Sequence, residues 1–483
     1  MFKNRIYIVG LAFICAAYSA CKVPDFAQRH ENKTVPLAFN GTAETDTLSS
    51  GKVQWRQFFT DPYLVNLIDT ALKNNQELNI TLQEIEIAKN EIKGRKGELL
   101  PTVGYRVGAG LEKVGRYTSS GAGDASTDIT PGKEVPEVLP DYSFGLTANW
   151  EADIWHKLRN AKKAALTRYL STVEGRNFVV TNLVAEIANT YYELLAQDNQ
   201  LEIVKQNIAL QSNALELMKI QKQATRVTEL AVRKFEAEVL SSKSLEFDIQ
   251  QQITESENRI NFLLGRFPQP VPRNKSGFTD LVPPTVQSGI PSQLLANRPD
   301  IKQAEYDLAA AKLDVNVAKA QFYPSLGISA SIGYQAFNPN YLLRTPESLA
   351  YSLAADLAGP LINKNAIKAE YLTASAKQLQ AVYNYEKTIL NGYIEVANQL
   401  SNISNLQKSY DLKSKQVQAL TQSIDIANDL FKSTRADYFE VLMTQRDALQ
   451  SKLELIETKK QQLNAVVNVY HALGGGWSAS PTQ

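Results

Sequence analysis

The hydrophobic pattern is most regular in a proline-free run from Asn363 to Gly474. Apolar residues recur there every three or four positions, which predicts long helices that each bear one narrow apolar stripe, as in a coiled coil. The stripe lapses at residues 432–437 and then resumes, so we predict a helical hairpin over 364–473 with its tip at the lapse. One arm of this hairpin is about 100 Å long at the usual helical rise. The stripe contains Ile389, Tyr393, Val396, Leu400, Ile403, Leu420, Ile424 and Phe431 and, after the lapse, Phe439, Leu442, Leu449, Leu453, Ile456 and Leu463.

A second proline-free run, residues 157–266, predicts a second hairpin of the same kind. Its stripe lapses near Thr225. When Leu264 is aligned with Leu473, Thr225 falls on Thr434, where the later stripe also lapses. We therefore interpret the chain as an internal duplication.

This interpretation divides the chain into consecutive segments. In order, they are a signal peptide (1–20), an N-terminal linker (21–51), a first repeat (52–266), a linker or equatorial segment (267–297), a second repeat (298–473) and a C-terminal tail (474–483).

Short segments in which apolar and polar residues alternate precede each hairpin. We predict two strands in each repeat, near 102–112 and 142–152 in the first and near 325–336 and 349–358 in the second. Strands of about ten residues fit the thickness of a bilayer when they are tilted. The stretch from 115 to 141 is rich in Gly, Ser, Asp and Pro and is predicted to be a long loop.

Four strands are too few to close a barrel, which takes about eight when the interior is filled, and open sheet edges are not tolerated in lipid. Several chains are therefore expected to share one barrel. The alternative is a small soluble sheet that caps a coiled coil. Aromatic residues near the strand ends favour the membrane interpretation, because such residues form girdles at membrane interfaces. They are Tyr105, Tyr142, Trp150, Tyr334 and Tyr351. The predicted fold class is mainly α, with long antiparallel coiled-coil hairpins and a membrane β element.

The N-terminus has the features of a secretory signal. Basic residues precede a short apolar segment, and small residues then lead to Cys21. The order Ser19-Ala20-Cys21 predicts cleavage before Cys21 and lipidation of its thiol, which would tether the chain to a membrane leaflet. The alternative is an unmodified cysteine after ordinary signal cleavage.

The distribution of charges and the spacing of potential metal ligands exclude several classes of function. Acidic and basic residues nearly balance at a net charge of +1, and they are interleaved, so no basic face for nucleic acid is predicted. The three histidines are scattered, and no group of His, Cys and carboxylate residues has ligand spacing. We expect no metal site, no cofactor and no catalysis.

Several motifs identify a family. The segment from Trp55 reads W-x-x-F-F-x-D-P-x-L and continues through Asn75. Further motifs follow in order along both repeats, and together they extend to Trp477. They are Asp153-Ile154-Trp155, Arg298-Pro299-Asp300-Ile301, Phe322-Tyr323-Pro324, Asp437-Tyr438-Phe439 with Gln445-Arg446, and Leu473-Gly474-Gly475-Gly476-Trp477. The chain resembles the outer membrane factor family, the TolC-like and OprM/NodT-type efflux channels.

The resemblance implies a function and partners. It implies a homotrimer whose strands form one barrel of about twelve strands with an open lumen. It also implies passive export of drugs or other solutes, which an inner-membrane pump of the RND type delivers through a periplasmic adaptor. Two alternatives remain open at this point: a trimeric coiled-coil stalk or adhesin lipoprotein, and the outer-membrane channel of a protein secretion system.

Two groups of residues are candidates for functional roles, one at the helix–strand junctions and one at the hairpin tips. Pro101, Pro324 and Pro360 are predicted at helix–strand junctions, where a fixed φ and a missing N–H redirect the chain. The resemblance places the gate and the adaptor contact at the hairpin tips, where we expect Thr225 and Thr434 to act as helix N-caps. The charged tip candidates either pair between neighbouring hairpins or are solvated polar residues. The tip candidates are Thr225, Arg226, Glu229, Asp425, Asp429, Thr434, Arg435 and Asp437.

Overall fold

The computed structural model describes residues 23–24, 26, 29–39, 48–275, 277–360, 362–433 and 435–477. The signal segment, Cys21 and Thr434 lie outside the described residues. The chain divides into two compact units. One contains 86–169, 306–382 and the residues before 31, and the other contains 31–85, 170–305 and the residues after 382.

Helices account for most of the regular structure in the described part of the chain. They are α1 (Trp55–Phe58), α2 (Pro62–Asn74), α3 (Gln76–Gly97), α4 (Ser119–Asp124), α5 (Lys157–Gln223), α6 (Glu229–Leu263), α7 (Leu294–Asn297), α8 (Pro299–Ala320), α9 (Asn365–Lys432) and α10 (Tyr438–Ala472). None of these helices is both long enough and apolar enough to cross a membrane.

The strands belong to the first unit. They are β1 (Thr102–Lys113), β2 (Asp128–Thr130), β3 (Lys133–Glu134), β4 (Val138–Ala152), β5 (Ser325–Ala336) and β6 (Leu349–Ala358). Four of them form one antiparallel sheet in the order β1-β4-β5-β6, so that β1 and β6 are its edges. The predicted long loop at 115–141 is partly structured, because it contains α4 and the small β2–β3 sheet.

The lengths of the elements match in pairs. Helices α6 and α10 each have 35 residues, α3 and α8 each have 22, and β1 and β5 each have 12. Helices α5 and α9 have 67 and 68 residues. A continuous helix of this length is about 100 Å long.

The main core lies in the second unit, where α1, α2 and the middle of α5 pack against the ends of α6 and α10. Tyr470 is fully buried there, stacks on Phe58 with ring centroids 4.0 Å apart, and donates a hydrogen bond of 2.7 Å to the carbonyl of Val53. Tyr191 is also buried and donates to the Asp61 carboxylate at 2.7 Å. Burial and this carboxylate raise the pKa of Tyr191. The hydroxyl groups of these two buried tyrosines thus have hydrogen-bond partners inside the core.

Residues 31–39 run alongside helices of the second unit, to which they belong, without regular secondary structure. Lys33 contacts Glu305 at 2.6 Å, and the backbone N–H of Asn32 donates to Glu386 at 3.0 Å. Phe39 stacks on Tyr393 with ring centroids 5.5 Å apart. The described middle part of the predicted linker is therefore held by specific contacts.

Candidate functional site

The four-stranded sheet has one apolar and one polar face. Cross-strand pairing aligns Tyr105 with Leu146, Leu146 with Ile332, and Ile332 with Tyr351 in one continuous row. These side chains are largely exposed in the single chain, with Tyr105 85% and Tyr351 79% accessible. A soluble chain rarely exposes such a large apolar surface unless another surface or lipid covers it.

The opposite face of the same strands is polar or lacks large side chains. The rows there include Thr147 with Ser331 and Ser352, and Arg106 with Gly145. Ser331 and Ser352 are hydrogen-bonded at 2.8 Å across the strands. One face therefore suits lipid and the other suits water, which is the alternation expected of a sheet that separates the two.

The junctions between helices and strands carry the three predicted prolines. Pro101 directly precedes β1, Pro324 directly precedes β5, and Pro360 lies between β6 and α9. Trp155 fastens one junction, because its ring stacks on Tyr323 at 4.7 Å and its indole N–H donates to the Pro324 carbonyl at 2.7 Å. The fixed φ and missing N–H of Pro324 end the helical hydrogen-bond pattern here, and its carbonyl accepts the bond from Trp155.

The turn into α5 contains a residue in the left-handed backbone region, at the position after Trp155. His156 occupies that position and adopts a φ of 60°, which glycine adopts more readily. The carboxylate of Asp153 compensates by accepting hydrogen bonds of 2.9 Å from the backbone N–H groups of both Leu158 and Arg159. The first turn of α5 is thereby capped.

At the first hairpin tip, the expected role of Thr225 as an N-cap is wrong. Thr225 follows the end of α5 with a φ of 56°, and its N–H donates to Lys222 at 2.8 Å. The next N–H, of Arg226, reaches back to the carbonyl of Gln221 at 2.9 Å. This is the Schellman arrangement that ends helices, with Thr225 in the position usually taken by glycine. The N-cap of α6 is Thr228, whose hydroxyl accepts from the Ala231 N–H at 3.4 Å.

The second tip repeats the returning hydrogen bond. The N–H of Arg435 donates to the carbonyl of Leu430 at 2.9 Å, five residues back, as at the first tip. Asp437 is the N-cap of α10, but its side chain makes no capping hydrogen bond. Thr434 lies outside the described residues, so its expected role as an N-cap stays a prediction.

The charged tip residues differ in whether they have partners within the chain. Glu229 pairs with Lys222 and, at 2.8 Å, with Arg233, and the hydrogen bond from Lys222 lowers the pKa of Glu229. Asp429 pairs with Lys432 at 3.3 Å, although both are exposed. Within the described residues, no side-chain hydrogen bond or ion pair joins the remaining four, Arg226, Asp425, Arg435 and Asp437, to a partner. These four charges are available to another molecule or another copy.

A buried ionic cluster in the second unit was not predicted from the sequence. Arg298 is 5% exposed and contacts Asp300 at 2.7 Å and Glu395 at 2.8 Å, and it also donates to the Ala472 carbonyl at 2.7 Å. His471 lies 3.4 Å from Glu395. Burial opposes ionisation of Glu395, but the hydrogen bond from His471 and the charge of Arg298 lower its pKa to about 2. The Arg298-Pro299-Asp300 motif was the available signal, because an arginine so close to an aspartate suits a buried pair.

Comparison with known proteins identifies the family. The family model of outer membrane efflux proteins matches residues 67–266 and 290–475, which is most of the chain. The solvent efflux pump outer membrane protein SrpC of Pseudomonas putida is 27% identical over 444 residues, 92% of each chain. The probable outer membrane lipoprotein SilC of Salmonella typhimurium is 24% identical over 482 residues, 99% of this chain and all of that protein.

The fold is also shared with a solved channel. The open state of the Neisseria gonorrhoeae MtrE outer membrane channel aligns with a TM-score of 0.81 at 22% identity and covers 96% of this chain and 100% of that one. The fold is thus that of an outer-membrane channel protein. The chain belongs to the outer membrane efflux protein family. It is an outer-membrane component of an efflux system, and its relatives are channels rather than enzymes.

Proposed function

We propose that three copies of this chain form one passive channel through the outer membrane, with a shared barrel of about twelve strands. The observation that carries this proposal is the four-stranded sheet. It has an apolar face, a polar face and two edge strands, and among the described residues no further strand pairs with those edges. Edge strands in lipid need partners for their backbone groups, and neighbouring copies provide them.

The strands have the length that such a barrel requires. Strands β1 and β5 have 12 residues each and β6 has 10. At roughly 3.3 Å per residue and a tilt near 45°, strands of this length span about 25 Å, the height of the apolar band of membrane barrels.

The long helices form the periplasmic part of the conduit in this proposal. An arm of about 100 Å suits a tunnel across much of the periplasm. A periplasmic adaptor and an inner-membrane pump of the RND type would deliver drugs or other solutes and supply the energy. The adaptor contacts and the gate are assigned to the tips. Their candidate residues are Thr225, Arg226, Glu229, Asp425, Asp429, Thr434, Arg435 and Asp437.

We further infer that the two halves arose by internal duplication. The paired element lengths support this inference, as do the ends of the hairpins. Gly265 and Gly474 follow α6 and α10 with φ values of 66° and 84°. In each case the N–H of the next residue donates five residues back, to Asn261 and to Tyr470. Identical Schellman endings at equivalent positions are the expected product of a repeated sequence.

A lipid anchor at Cys21 belongs to the same proposal. The lipoprotein relative and the Ser19-Ala20-Cys21 order support it. Mass spectrometry of the mature N-terminus tests it, because an unmodified Cys21 or cleavage elsewhere would remove the tether. Replacing Cys21 with Ser should lower the amount of protein in the membrane without preventing barrel assembly.

The channel proposal is tested by placing arginine on each face of β6. Leu353 lies on the apolar face, and its neighbour Ala354 lies on the polar face. An arginine facing lipid at mid-membrane costs about 2–4 kcal/mol, whereas an arginine in a water-filled lumen costs little. Leu353→Arg should therefore abolish heat-stable trimers in outer-membrane fractions, and Ala354→Arg should leave them.

Conductance completes this test. The purified full chain should open discrete, voltage-independent channels in planar bilayers, and native mass spectrometry in detergent should show three copies. Equal tolerance of both arginines, or a chain that conducts nothing, would contradict the proposal and favour a stalk. A deletion strain should become more susceptible to exported compounds.

A further inference from the structure

The polar face of the sheet contains a depression of about 220 Å³ that reaches all four strands. Gly145 and Gly333 are cross-strand partners in it, and Arg106 pairs with Gly145 from the neighbouring strand. Ala350 pairs with Gly333 from the other side. Arg106 therefore stands at one end of a cross-strand row whose other three residues, Gly145, Gly333 and Ala350, have small side chains or none.

The two glycines are required by the close approach of their strands. A Cβ on Gly145 would lie 2.5 Å from the carbonyl oxygen of Ile332. A Cβ on Gly333 would lie 2.3 Å from the carbonyl oxygen of Phe144. Both distances are far below van der Waals contact. Only glycine therefore fits at these two positions at the observed separation of the strands.

Arg106 is the only cation on the polar-face positions of β1, β4, β5 and β6. Its guanidinium has no hydrogen bond or ion pair within the described residues. The acidic residues at polar-face positions are Glu112, Asp141, Glu151 and Asp356. A lone arginine among carboxylates leaves five N–H donors available for an incoming oxyanion.

The far side of the same depression carries the opposite charge. Asp141 lines it and accepts two hydrogen bonds, of 2.9 and 3.0 Å, from the Gln335 amide. Asp141 and Gly145 are four residues apart on β4, which is roughly 13 Å along a strand. The hydroxyls of Ser143, Thr147 and Ser331 also line the depression. The surface is therefore dipolar, with a cation at one end, a carboxylate at the other and hydrogen-bonding groups between.

We propose that this depression is a transit binding site for dipolar organic solutes. The guanidinium of Arg106 holds the carboxylate or other oxyanion of the solute through its bidentate fork. Asp141 faces an amine at the other end of the solute. The proposal rests on the proposed function, since the polar face meets passing solutes only if the chain forms a channel.

Two penicillins provide matched probes. Ampicillin carries a carboxylate and an ammonium group, and benzylpenicillin carries the same carboxylate without the ammonium. Transient blocks of single-channel current in planar bilayers report their residence in the lumen. In the native channel, ampicillin should produce more frequent and longer blocks than benzylpenicillin.

Three variants separate the contributions of the two ends of the site. Arg106→Gln should reduce blocks by both penicillins about tenfold, since a charge-assisted hydrogen bond is lost. Arg106→Lys keeps the charge but loses the bidentate geometry of the guanidinium. Its block rates should lie between those of the native channel and those of Arg106→Gln. Asp141→Asn should reduce ampicillin blocks to the benzylpenicillin level and leave benzylpenicillin blocks unchanged or increased.

Lys133→Gln is the matched control, because it removes one positive charge from β3, outside the four-stranded sheet. It should leave both block rates as in the native channel. Unchanged blocks in Arg106→Gln at normal conductance, or equal blocks by both penicillins in the native channel, would overturn the transit site. A native chain that opens no channel at all would instead overturn the proposed function.

Discussion

Asn75 and Arg298 perform the same task in the two halves of the chain. Asn75 directly precedes α3 and donates from its amide to the carbonyl of Leu263, the last residue of α6, at 2.9 Å. Arg298 directly precedes α8 and donates to the carbonyl of Ala472, the last residue of α10, at 2.7 Å. The end of each hairpin is therefore hydrogen-bonded to the residue that precedes the 22-residue helix of its own half, through a neutral amide in one half and a buried cation in the other.

The buried cation should make the second half more sensitive to substitution. Arg298→Gln removes the ion pairs with Asp300 and Glu395 and leaves carboxylates without their partner. We expect the free energy of unfolding to fall by about 3 kcal/mol, as for other broken buried pairs. Thermal denaturation of the protein in detergent measures it. Arg259→Gln, which breaks an exposed pair with Glu186, is the control and should cost less than about 1 kcal/mol. Equal losses would contradict the assignment.

The same cluster predicts a pH dependence. The folded chain lowers the pKa of Glu395 from 4.5 to about 2, so the unfolded chain binds this proton first as the pH falls. The stabilisation is therefore complete above pH 4.5 and is lost between pH 4.5 and pH 2. Because Glu395 is partly exposed, we expect it to contribute only about 1–2 kcal/mol. Denaturation midpoints at falling pH should decline less steeply for Glu395→Gln than for the native chain. Parallel declines would assign the acid sensitivity to other carboxylates.

At the first hairpin tip, we predict that two substitutions change the stability in opposite directions. Thr225 is held at a φ of 56°, which costs a residue with a Cβ about 1 kcal/mol, so Thr225→Gly should stabilise the protein by up to that amount. Thr228→Ala removes the N-cap hydroxyl of α6 and should destabilise it by about 0.5–1 kcal/mol. Hydrogen exchange of the tip amides measures both effects. A loss of protection in both variants would show that Thr225 has a further role.

Glycines in the sheet differ in whether they tolerate a methyl group. Gly145→Ala places a Cβ 2.5 Å from the Ile332 carbonyl oxygen, so β4 and β5 must separate. We expect the free energy of unfolding to fall by about 2 kcal/mol and membrane fractions to contain fewer heat-stable oligomers. Gly110→Ala is the matched control, because no atom lies within 4 Å of the added Cβ. Semi-denaturing gels compare the two, and similar oligomer amounts would mean that the strands relax at little cost.

Two charges at the second tip, which have no side-chain partner among the described residues, predict a gating phenotype. Replacing both Arg435 and Asp437 with Ala should raise the conductance of the closed state and the leakage of antibiotics, if neighbouring copies pair through these residues. Trimer amounts should not change. Replacing both Glu86 and Lys89 with Ala removes an exposed pair of 3.1 Å on α3 and serves as the control. Native conductance in the tip variant would assign the gate to other residues.

The fold could be predicted to a large extent because its periodicities are long and uninterrupted. Helices α5 and α9 follow proline-free runs with a three-four spacing, and the four long strands follow the alternating segments. The small β2–β3 sheet and α4 were missed. They lie in a segment of Gly, Ser, Asp and Pro, where turn formation dominates the local sequence signal.

The candidate sites were less predictable. The junction prolines were found because proline has one fixed backbone geometry. The N-cap assignment of Thr225 failed because threonine suits both an N-cap and, at a cost, a left-handed helix end. Only the hydrogen bond from Arg226 to Gln221 distinguishes these roles. The Arg298 cluster joins residues far apart in sequence, and periodicity carries no information about such contacts.

The two open edges of the sheet also have a genetic consequence. In the proposed trimer, β1 of each copy must meet β6 of the next, so every copy takes part in two of the closing contacts. A copy damaged at one edge would therefore spoil any ring that it entered. Alleles that disrupt β1 or β6 should act dominantly over a normal allele in the same cell, whereas alleles that merely prevent synthesis should be recessive.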